Sequence, residues 1–475
     1  MLHSHIAVAV LVQICVSQWV HSKASLPEVI FEGDVQSHSG IAHANRGLLN
    51  VLLAVSGNGT DGPHYGGLDL VRPPSSCSHA SIVAASQNDT LRAIHVVPWP
   101  PGRNWTRTCT AHGIDPNREG VLELFSAGPH GWHYTDATLA TPRVTIRSTT
   151  WLPTALPGIV SQKTWRARGR PLPTDRSRLI LHMPWEVDGF PMRWSTMINR
   201  CVDEIWVPSL YVKTVLQRAE VLSSKDIFVV PHALVGRTPA NSSFAFKTDS
   251  EASPPVTPEE SVSSDATKPF VFLFVGGVLP RKGIDILLDA FTLLAESYDA
   301  VRPVELQIYA SYWPTSGRGV KFATTIADKL RNFSNNELYK ARKYRITIVS
   351  DVSQNSGKSQ KEMDALYSSA DCFVLPYRAE GFALTVYDAA LQGTPALLPK
   401  ETVLPTQEWL NDSSTFTVSA VRTKCEGVWP CDNSSTGVFR NSNGGSINFG
   451  HVWWSEVSPQ NLARAMHSKS LSFLV

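Results

Sequence analysis

Residues Ala370 to Pro395 read ADCFVLPYRAEGFALTVYDAALQGTP, and this stretch decides the fold. The apolar run from Cys372 to Pro376 predicts a buried strand, which a short polar turn follows. We expect Glu380 to Phe382 to open a helix that ends at Gly393. A buried parallel strand that leads into a helix start through a tight turn is where α/β folds bind anionic ligands.

The two acids of this stretch suggest a polar ligand. Glu380 leads the predicted helix, so the amides of Phe382 and Ala383 are expected to be free for a phosphate or a sugar hydroxyl. Asp388 lies eight positions later, about 12 Å along a helix axis. That distance suits a single ligand, with one carboxylate binding its sugar and the other binding its ribose. The alternative is that Glu380 caps the helix and Asp388 is a solvated helix residue.

A second stretch, Phe274 to Asp285, reads FVGGVLPRKGID. Its strand ends in glycines that let backbone approach a ligand, with Gly277 the second, and the cations Arg281 and Lys282 stand just before a helix. A sugar diphosphate needs fixed amide donors, a positive helix end and Arg or Lys to hold its charge. The alternative is a glycine-rich turn with solvated cations.

Strand-like and helical segments alternate along the rest of the chain, which predicts parallel βαβ units. A segment rich in Ser, Thr, Pro and acids interrupts the alternation and suits a disordered linker or insert. We therefore predict an α/β protein of two doubly wound, Rossmann-like domains facing a cleft, with these parts: a leader at 1–24, an N-terminal domain at 25–236, the linker at 237–268 and a donor-binding C-terminal domain at 269–475. Residues 56–135 are weakly patterned.

Length and charge restrict the function classes. The 475 residues exceed one ordinary domain and suit two. A net charge of +2 provides no basic field, so nucleic acid is not an expected partner.

The N-terminus indicates the secretory pathway. Ile6 to Val20 is an uncharged apolar run, and a small-x-small sequence ending at Ala24 suits cleavage of a signal peptide. An uncleaved anchor, which would bring membrane contact, and a plain buried start are the alternatives. Seven sequons support a glycoprotein in the ER, in the Golgi or outside the cell, at Asn58, Asn88, Asn104, Asn241, Asn332, Asn411 and Asn433.

The cysteines fit an oxidising compartment. Cys425 and Cys431 are close enough in sequence for a disulfide to close a short loop. Cys77 and Cys109 flank a loop-rich stretch, so both pairs are plausible disulfides. Cys201 and Cys372 stand in apolar contexts and are expected to be buried thiols, and no spacing resembles a zinc site.

Taken together, the two stretches resemble the donor-binding lobe of family-4 retaining glycosyltransferases of the GT-B fold. The matching motifs stand in the family's order over about 130 residues: Arg281-Lys282-Gly283, Ala370-Asp371, Leu375-Pro376, Glu380-Gly381-Phe382-Ala383-Leu384, Asp388 and Gly393-Thr394-Pro395. A looser likeness reaches the N-terminal domain at Gly40, at Pro184-Trp185-Glu186, from Val202 to Ser209, and at Val229-Val230-Pro231.

The resemblance implies a role for each site residue. Arg281 and Lys282 would hold the donor diphosphate, Glu380 the donor sugar and Asp388 the ribose, and Gly40 would let a turn approach the donor. The resemblance also implies sugar transfer from a nucleotide donor with retention, without a metal, a cofactor or a protein nucleophile. The leaving phosphate would help to deprotonate the acceptor.

The chain departs from the family pattern at several positions. Gly277 stands where many members carry an Arg toward the phosphates, and Asp388 replaces a Glu. Ser148 stands where related sequences carry the His that meets the donor sugar, and His182 and His232 are nearby candidates for it. GT-B proteins usually continue past a helix like Gln460 to Met466, so we consider the C-terminal domain truncated at Val475.

We therefore expect a hexosyltransferase that uses a UDP- or GDP-sugar and an unidentified glycan, lipid or protein acceptor. The alternative is a catalytically inactive GT-B protein that binds glycan or protein. A third interpretation, a phosphorylase-like enzyme, would require a lysine-bound pyridoxal cofactor.

Overall fold

The structure is a computed structural model of the whole chain. It describes the following residues: 28–33, 44–45, 47–49, 93–98, 143–148, 177–190, 195, 198–199, 202–221, 226–232, 268–300, 302–315, 319–349, 358–400, 415–425, 438–440, 446–448 and 452–472. By its contacts the chain divides into two compact units, the first comprising 1–185 with 190–236 and the second comprising 186–189 with 237–475.

The first unit contains a six-stranded parallel sheet. Its strands are β1 (Glu28–Gly33), β2 (Ala93–Pro98), β3 (Arg143–Ser148), β4 (Ser177–His182), β5 (Glu204–Val207) and β6 (Ile227–Val229). They lie in the order β2-β1-β3-β4-β5-β6 and every neighbouring pair is parallel. Helix α1 (Leu210–Arg218) connects β5 to β6, and the Ser209 side chain caps its first turn. Strand β2 lies on one side of β1, whereas β3 and the strands after it lie on the other side, as in doubly wound folds.

The second unit contains another six-stranded parallel sheet, in the order β12-β11-β10-β7-β8-β9. Its strands are β7 (Phe270–Gly277), β8 (Val304–Tyr312), β9 (Tyr344–Ile348), β10 (Cys372–Val374), β11 (Ala396–Pro399) and β12 (Thr415–Val418). Strands β8 and β9 lie on one side of β7, and β10, β11 and β12 lie on the other. This is the Rossmann strand order, whose switch point lies between β7 and β10.

Helices and two small antiparallel pairs complete this unit. The helices are α2 (Ile284–Ser297), α3 (Gly319–Ser334), α4 (Glu337–Ala341), α5 (Gln360–Ser368), α6 (Leu384–Leu391) and α7 (Pro459–Ser472). The antiparallel pairs are β13 (Ala420–Lys424) with β16 (Trp453–Val457), and β14 (Val438–Arg440) with β15 (Ser446–Asn448).

Strand β7 shows why these residues form a central strand. Its sequence FVFLFVGG is buried at every position. A strand covered on both faces by helices has no solvent side, so it carries a continuous apolar run. The apolar side chains of α2 and α3 pack in the same core, including Leu287, Phe291 and Ile326. At about 25 cal/mol per Å² of buried apolar surface, this core is the main stabilising contribution in the unit.

The two-domain α/β prediction is confirmed at the level of fold class, and most predicted segments are present. The structure adds elements that we did not predict: β2 within the weakly patterned stretch, the helices α3 and α4, and the strands β11 to β16. Of the predicted linker only Lys268 lies among the described residues. The leader at 1–24 lies outside them.

The helix predicted within Ala370 to Pro395 begins later than expected. It starts at Leu384 rather than at Glu380, and Ala383 precedes it with a left-handed backbone (φ 59°). Glu380 to Phe382 therefore form a loop between β10 and α6, because the chain must turn before a helix can begin. The helical distance of about 12 Å between Glu380 and Asp388 does not apply.

Candidate functional site

The two candidate stretches follow the two strands that meet at the switch point of the second unit. Strands β7 and β10 are direct neighbours, with Cys372 paired to Phe272 and Phe373 to Leu273. Because both strands run the same way, the segments after them leave the same edge of the sheet. Residues 99 positions apart, Arg281 and Glu380, are thereby brought within hydrogen-bond distance.

The segment after β7 turns tightly against the segment after β10. The pairing of β7 with β8 shifts register between Gly276 and Gly277, and a single 3₁₀ turn, Pro280–Lys282, precedes α2. Gly283 joins that turn to α2 with a φ of 70°. A Cβ at Gly283 would lie only 1.9 Å from the carbonyl oxygen of Pro376. This glycine is therefore required for the two segments to touch.

The loop after β10 is held to the 3₁₀ turn by its backbone. The amide of Arg378 donates to the carbonyl of Arg281 at 2.7 Å. Arg281 Nη1 then donates to Glu380 Oε1 at 2.8 Å, and Lys282 Nζ pairs with the same oxygen. The predicted phosphate-binding cations and the predicted sugar-binding acid thus form one cluster. The cap role considered for Glu380 is wrong, because Ala383 stands at the cap position of α6.

Glu186 completes the cluster. Its Oε1 lies 2.8 Å from Arg281 Nη2. Glu186 belongs to the segment 186–189, which is part of the second unit by its contacts. Partial burial raises the pKa of the Glu186 carboxyl; Arg281 opposes the rise, the Glu380 charge adds to it and Lys282 opposes it. The sequence pointed to Glu186 only within the Pro184-Trp185-Glu186 likeness and gave it no role.

Arg378 is a site residue that the sequence reasoning missed. Its guanidinium donates two hydrogen bonds to Asp285, two to Glu456 and one to the carbonyl of Pro280, all at 2.7–2.8 Å. It also lies 5.2 Å from the ring centroid of Trp454. Burial opposes its charge, but the hydrogen bonds of the two carboxylates more than offset this and raise the pKa of Arg378. A lone Arg two residues before Glu380 was the available signal.

The remaining donor-site residues of the second unit lie around the same loop. Phe382 is buried and stacks on Tyr387 with ring centroids 4.7 Å apart. Gly381 lies in the loop, and Ala383 and Leu384 mark the start of α6. Asp388 is buried, so the solvated role considered for it is wrong. Gly277 ends β7, and Gly40 lies outside the described residues.

Three polar residues that the sequence analysis singled out meet in the first unit. Ser148 Oγ lies 2.9 Å from His182 Nδ1, and the rings of His182 and His232 meet edge to face at 5.5 Å between centroids. All three are buried. Burial lowers the pKa of His182 to about 4, so this imidazole is neutral at physiological pH. Ser148 is the last residue of β3 and His182 the last residue of β4. The two residues are paired in the parallel register, which brings them together.

The cysteine predictions are tested at two positions. Cys372 is a buried free thiol as predicted, and burial raises its pKa to about 12. Cys425 is disulfide-bonded, and its partner is outside the described residues, as are Cys77, Cys109, Cys201 and Cys431.

Neither a cluster of metal-binding side chains nor a membrane-spanning helix occurs among the described residues. Over the described ranges, no group of three or more His, Cys, Asp or Glu side chains could hold a metal ion. No described helix has the length and apolar character needed to cross a membrane.

The family comparison matches the part of the chain that carries this site. Residues 257–407 match the model of the family described as "Glycosyl transferases group 1". The match includes both candidate stretches, so the resemblance to group 1 glycosyltransferases is confirmed over these residues.

A curated relative and several solved structures are also similar. Mannosylfructose-phosphate synthase of Agrobacterium fabrum is 28% identical over 129 residues, 27% of this chain and 25% of that protein. The chain thus aligns with about a quarter of the length of this relative. Sucrose-phosphate synthase from Thermosynechococcus elongatus aligns with a TM-score of 0.44 at 14% identity, covering 83% of this chain and 86% of the other. The N-terminal domain of Candida albicans trehalose-6-phosphate phosphatase gives 0.47 at 11% identity, covering 95% and 90%.

Proposed function

We propose that this protein is a retaining glycosyltransferase that moves a hexosyl group from a UDP- or GDP-sugar to a glycan, lipid or protein acceptor. The observation that carries the proposal is the cluster at the switch point, where Arg281 and Lys282 are fixed by Glu380. Ligands of doubly wound sheets bind at this position in the fold. A sugar nucleotide carries the diphosphate that two adjacent cations suit.

In the proposed reaction the bond between the anomeric carbon and the β-phosphate oxygen breaks, and its electron pair stays on that oxygen. The acceptor hydroxyl oxygen bonds to the anomeric carbon, and its proton passes to the leaving phosphate. Arg281 and Lys282 would stabilise the charge that develops on the diphosphate, which is the role that a metal ion has in other transferases. We therefore propose that neither a metal nor a cofactor is needed.

Glu380 would fix the cations with one oxygen and the sugar with the other. Both of its ion pairs use Oε1, and none of the described residues pairs with Oε2. A carboxylate held in this way has an acceptor left for a sugar hydroxyl. Asp388, buried on α6, is proposed to contact the ribose.

We also propose that the protein works in the secretory pathway, in the ER, in the Golgi or outside the cell. Two observations support this. Cys425 is disulfide-bonded, which is typical of oxidising compartments. Asn332, the one sequon asparagine among the described residues, is exposed on α3 and accessible to glycosylation.

The test begins with the full-length secreted protein and a set of UDP- and GDP-sugars, whose binding is followed by ligand-observed NMR. We expect Lys282→Ala to weaken binding of the matching nucleoside diphosphate about tenfold or more, because a partly buried cation is lost. Glu380→Ala should lower donor hydrolysis or transfer by about 100-fold. Lys340→Ala is the control, since Lys340 pairs with Glu337 on an exposed helix surface. Activity should survive EDTA.

Unchanged binding in Lys282→Ala together with unchanged turnover in Glu380→Ala would contradict the proposal. Binding of a nucleotide sugar without turnover on any acceptor would instead favour the inactive glycan- or protein-binding module. Gly277, Asp388 and Ser148, which depart from the family pattern, are the residues that motivate this second candidate.

A further inference from the structure

The four charged side chains at the switch point neutralise one another. Arg281 lies between two carboxylates, with Nη2 2.8 Å from Glu186 Oε1 and Nη1 2.8 Å from Glu380 Oε1. Lys282 pairs with the same oxygen of Glu380. Two cations and two carboxylates give a formal charge of zero. A diphosphate therefore has to compete with carboxylates that already occupy the cations.

The two carboxylates differ in how easily they can leave. The Glu380 side chain is 5% exposed and bound to both cations, so removing it from them would leave a buried, unpaired charge. The Glu186 side chain is 34% exposed and has one cationic partner. The Glu186 side chain can leave Arg281 and become solvated at little cost in free energy, because partly exposed ion pairs contribute little net energy.

Glu380 also weakens the hold of Arg281 on Glu186. The two carboxylates share one guanidinium, and their mutual repulsion disfavours the charged form of Glu186. An incoming phosphate that offers more charge and more oxygen acceptors is expected to replace Glu186 rather than Glu380.

We propose that Glu186 is a displaceable counter-ion of Arg281 that lowers the affinity of the site for diphosphates and promotes release of the nucleoside diphosphate product. The inference rests on the proposed function and assigns it a further specificity-determining residue. The diphosphate of a sugar nucleotide carries two negative charges, whereas a free nucleoside diphosphate carries about three at neutral pH. Competition and repulsion by Glu186 therefore act more strongly on the product than on the donor.

Asp188 provides a matched control. It lies two residues from Glu186 on the same segment, and its carboxylate is 2.6 Å from Arg422 rather than from Arg281. Glu186→Gln and Asp188→Asn change the net charge equally. Only the first removes a competitor from the candidate site.

The experiment is calorimetric titration of the full-length protein with inorganic pyrophosphate, with UDP and GDP, and with a UDP-sugar and a GDP-sugar. Glu186→Gln should bind pyrophosphate about 3- to 10-fold more tightly than the wild type, and Glu186→Ala should do the same. The gain should be larger for the nucleoside diphosphate than for its sugar nucleotide, and smaller in high salt. Asp188→Asn should stay within about twofold of the wild type. Melting curves of all variants check that each is folded.

Three outcomes separate the inference from the proposed function. Equal or weaker binding in both Glu186 variants, with clear binding by the wild type, would overturn the inference and leave the proposed function intact. Binding by the Glu186 variants alone would support the inference in its strongest form. No binding of pyrophosphate or nucleotide by any variant would overturn both.

Discussion

At the scale of single residues, two positions with left-handed backbone define the turns of the candidate site. Gly283 has a φ of 70° and Ala383 a φ of 59°. The first is a glycine, for which this conformation has no steric cost, whereas an alanine in it costs about 1–2 kcal/mol. Ala383 therefore carries backbone strain that a glycine at this position would avoid.

The two positions predict opposite effects of exchanging glycine and alanine. Gly283→Ala should destabilise the second unit by about 2 kcal/mol or more, because its Cβ would lie 1.9 Å from the Pro376 carbonyl oxygen. Ala383→Gly should leave stability unchanged or raise it by up to about 1 kcal/mol. Urea unfolding of the two variants measures the difference. A tolerated Gly283→Ala would show that the two segments do not touch as described.

At the scale of elements, Arg378 links four parts of the second unit. It ties the loop after β10 to the 3₁₀ turn through Pro280, to α2 through Asp285 and to β16 through Glu456. Those contacts hold the segments that carry Arg281 and Glu380. Arg378 therefore positions the candidate site, since its guanidinium hydrogen bonds go to protein groups.

Replacing this arginine should be costly. Arg378→Met should destabilise the second unit by about 3 kcal/mol, because Asp285 and Glu456 lose their shared partner in a largely buried setting. Arg331→Met removes an exposed pair with Asp328 and should have little effect. Thermal melting monitored by circular dichroism compares the two variants, and similar melting temperatures would contradict the positioning role.

The elements also show how far the sequence could be interpreted. Continuous apolar runs such as β7 and β10 were predicted because strands buried on both faces have a clear signal. The start of α6 was misplaced, because a left-handed residue before a helix leaves no pattern in the side chains. Helix α3 was missed because only a narrow stripe of it is buried, at Ala323, Ile326, Leu330 and Phe333.

At the scale of the whole molecule, each unit has its own parallel sheet and its own buried polar group. In the first unit His182 is 1% exposed and its pKa is lowered from 6.5 to about 4 by burial. The unfolded chain therefore binds a proton at pH values where the folded unit does not. The stability contribution of neutral His182 is complete above about pH 6.5 and is lost as the pH falls toward 4.

The lowered pKa of His182 predicts that acid destabilises the first unit. Between pH 7 and pH 5 the first unit should lose about 2 kcal/mol through His182. In calorimetry, the transition that pyrophosphate does not shift belongs to this unit, since the candidate site lies in the second. His182→Asn should flatten the pH dependence of that transition. A transition equally acid-sensitive in the wild type and in His182→Asn would refute this assignment.

The sequence by itself determined the fold class and the two glycosyltransferase-like stretches. Apolar periodicity, glycine position and charge are properties of neighbouring residues, so the sequence displays them directly. Only the tertiary structure decided which of these residues meet. The order of the parallel strands places β7 beside β10, and this pairing brings Arg281, Lys282 and Glu380 together across about 100 positions. The roles proposed for Glu186 and Arg378 also depend on long-range contacts, which the neighbouring residues in the sequence do not specify.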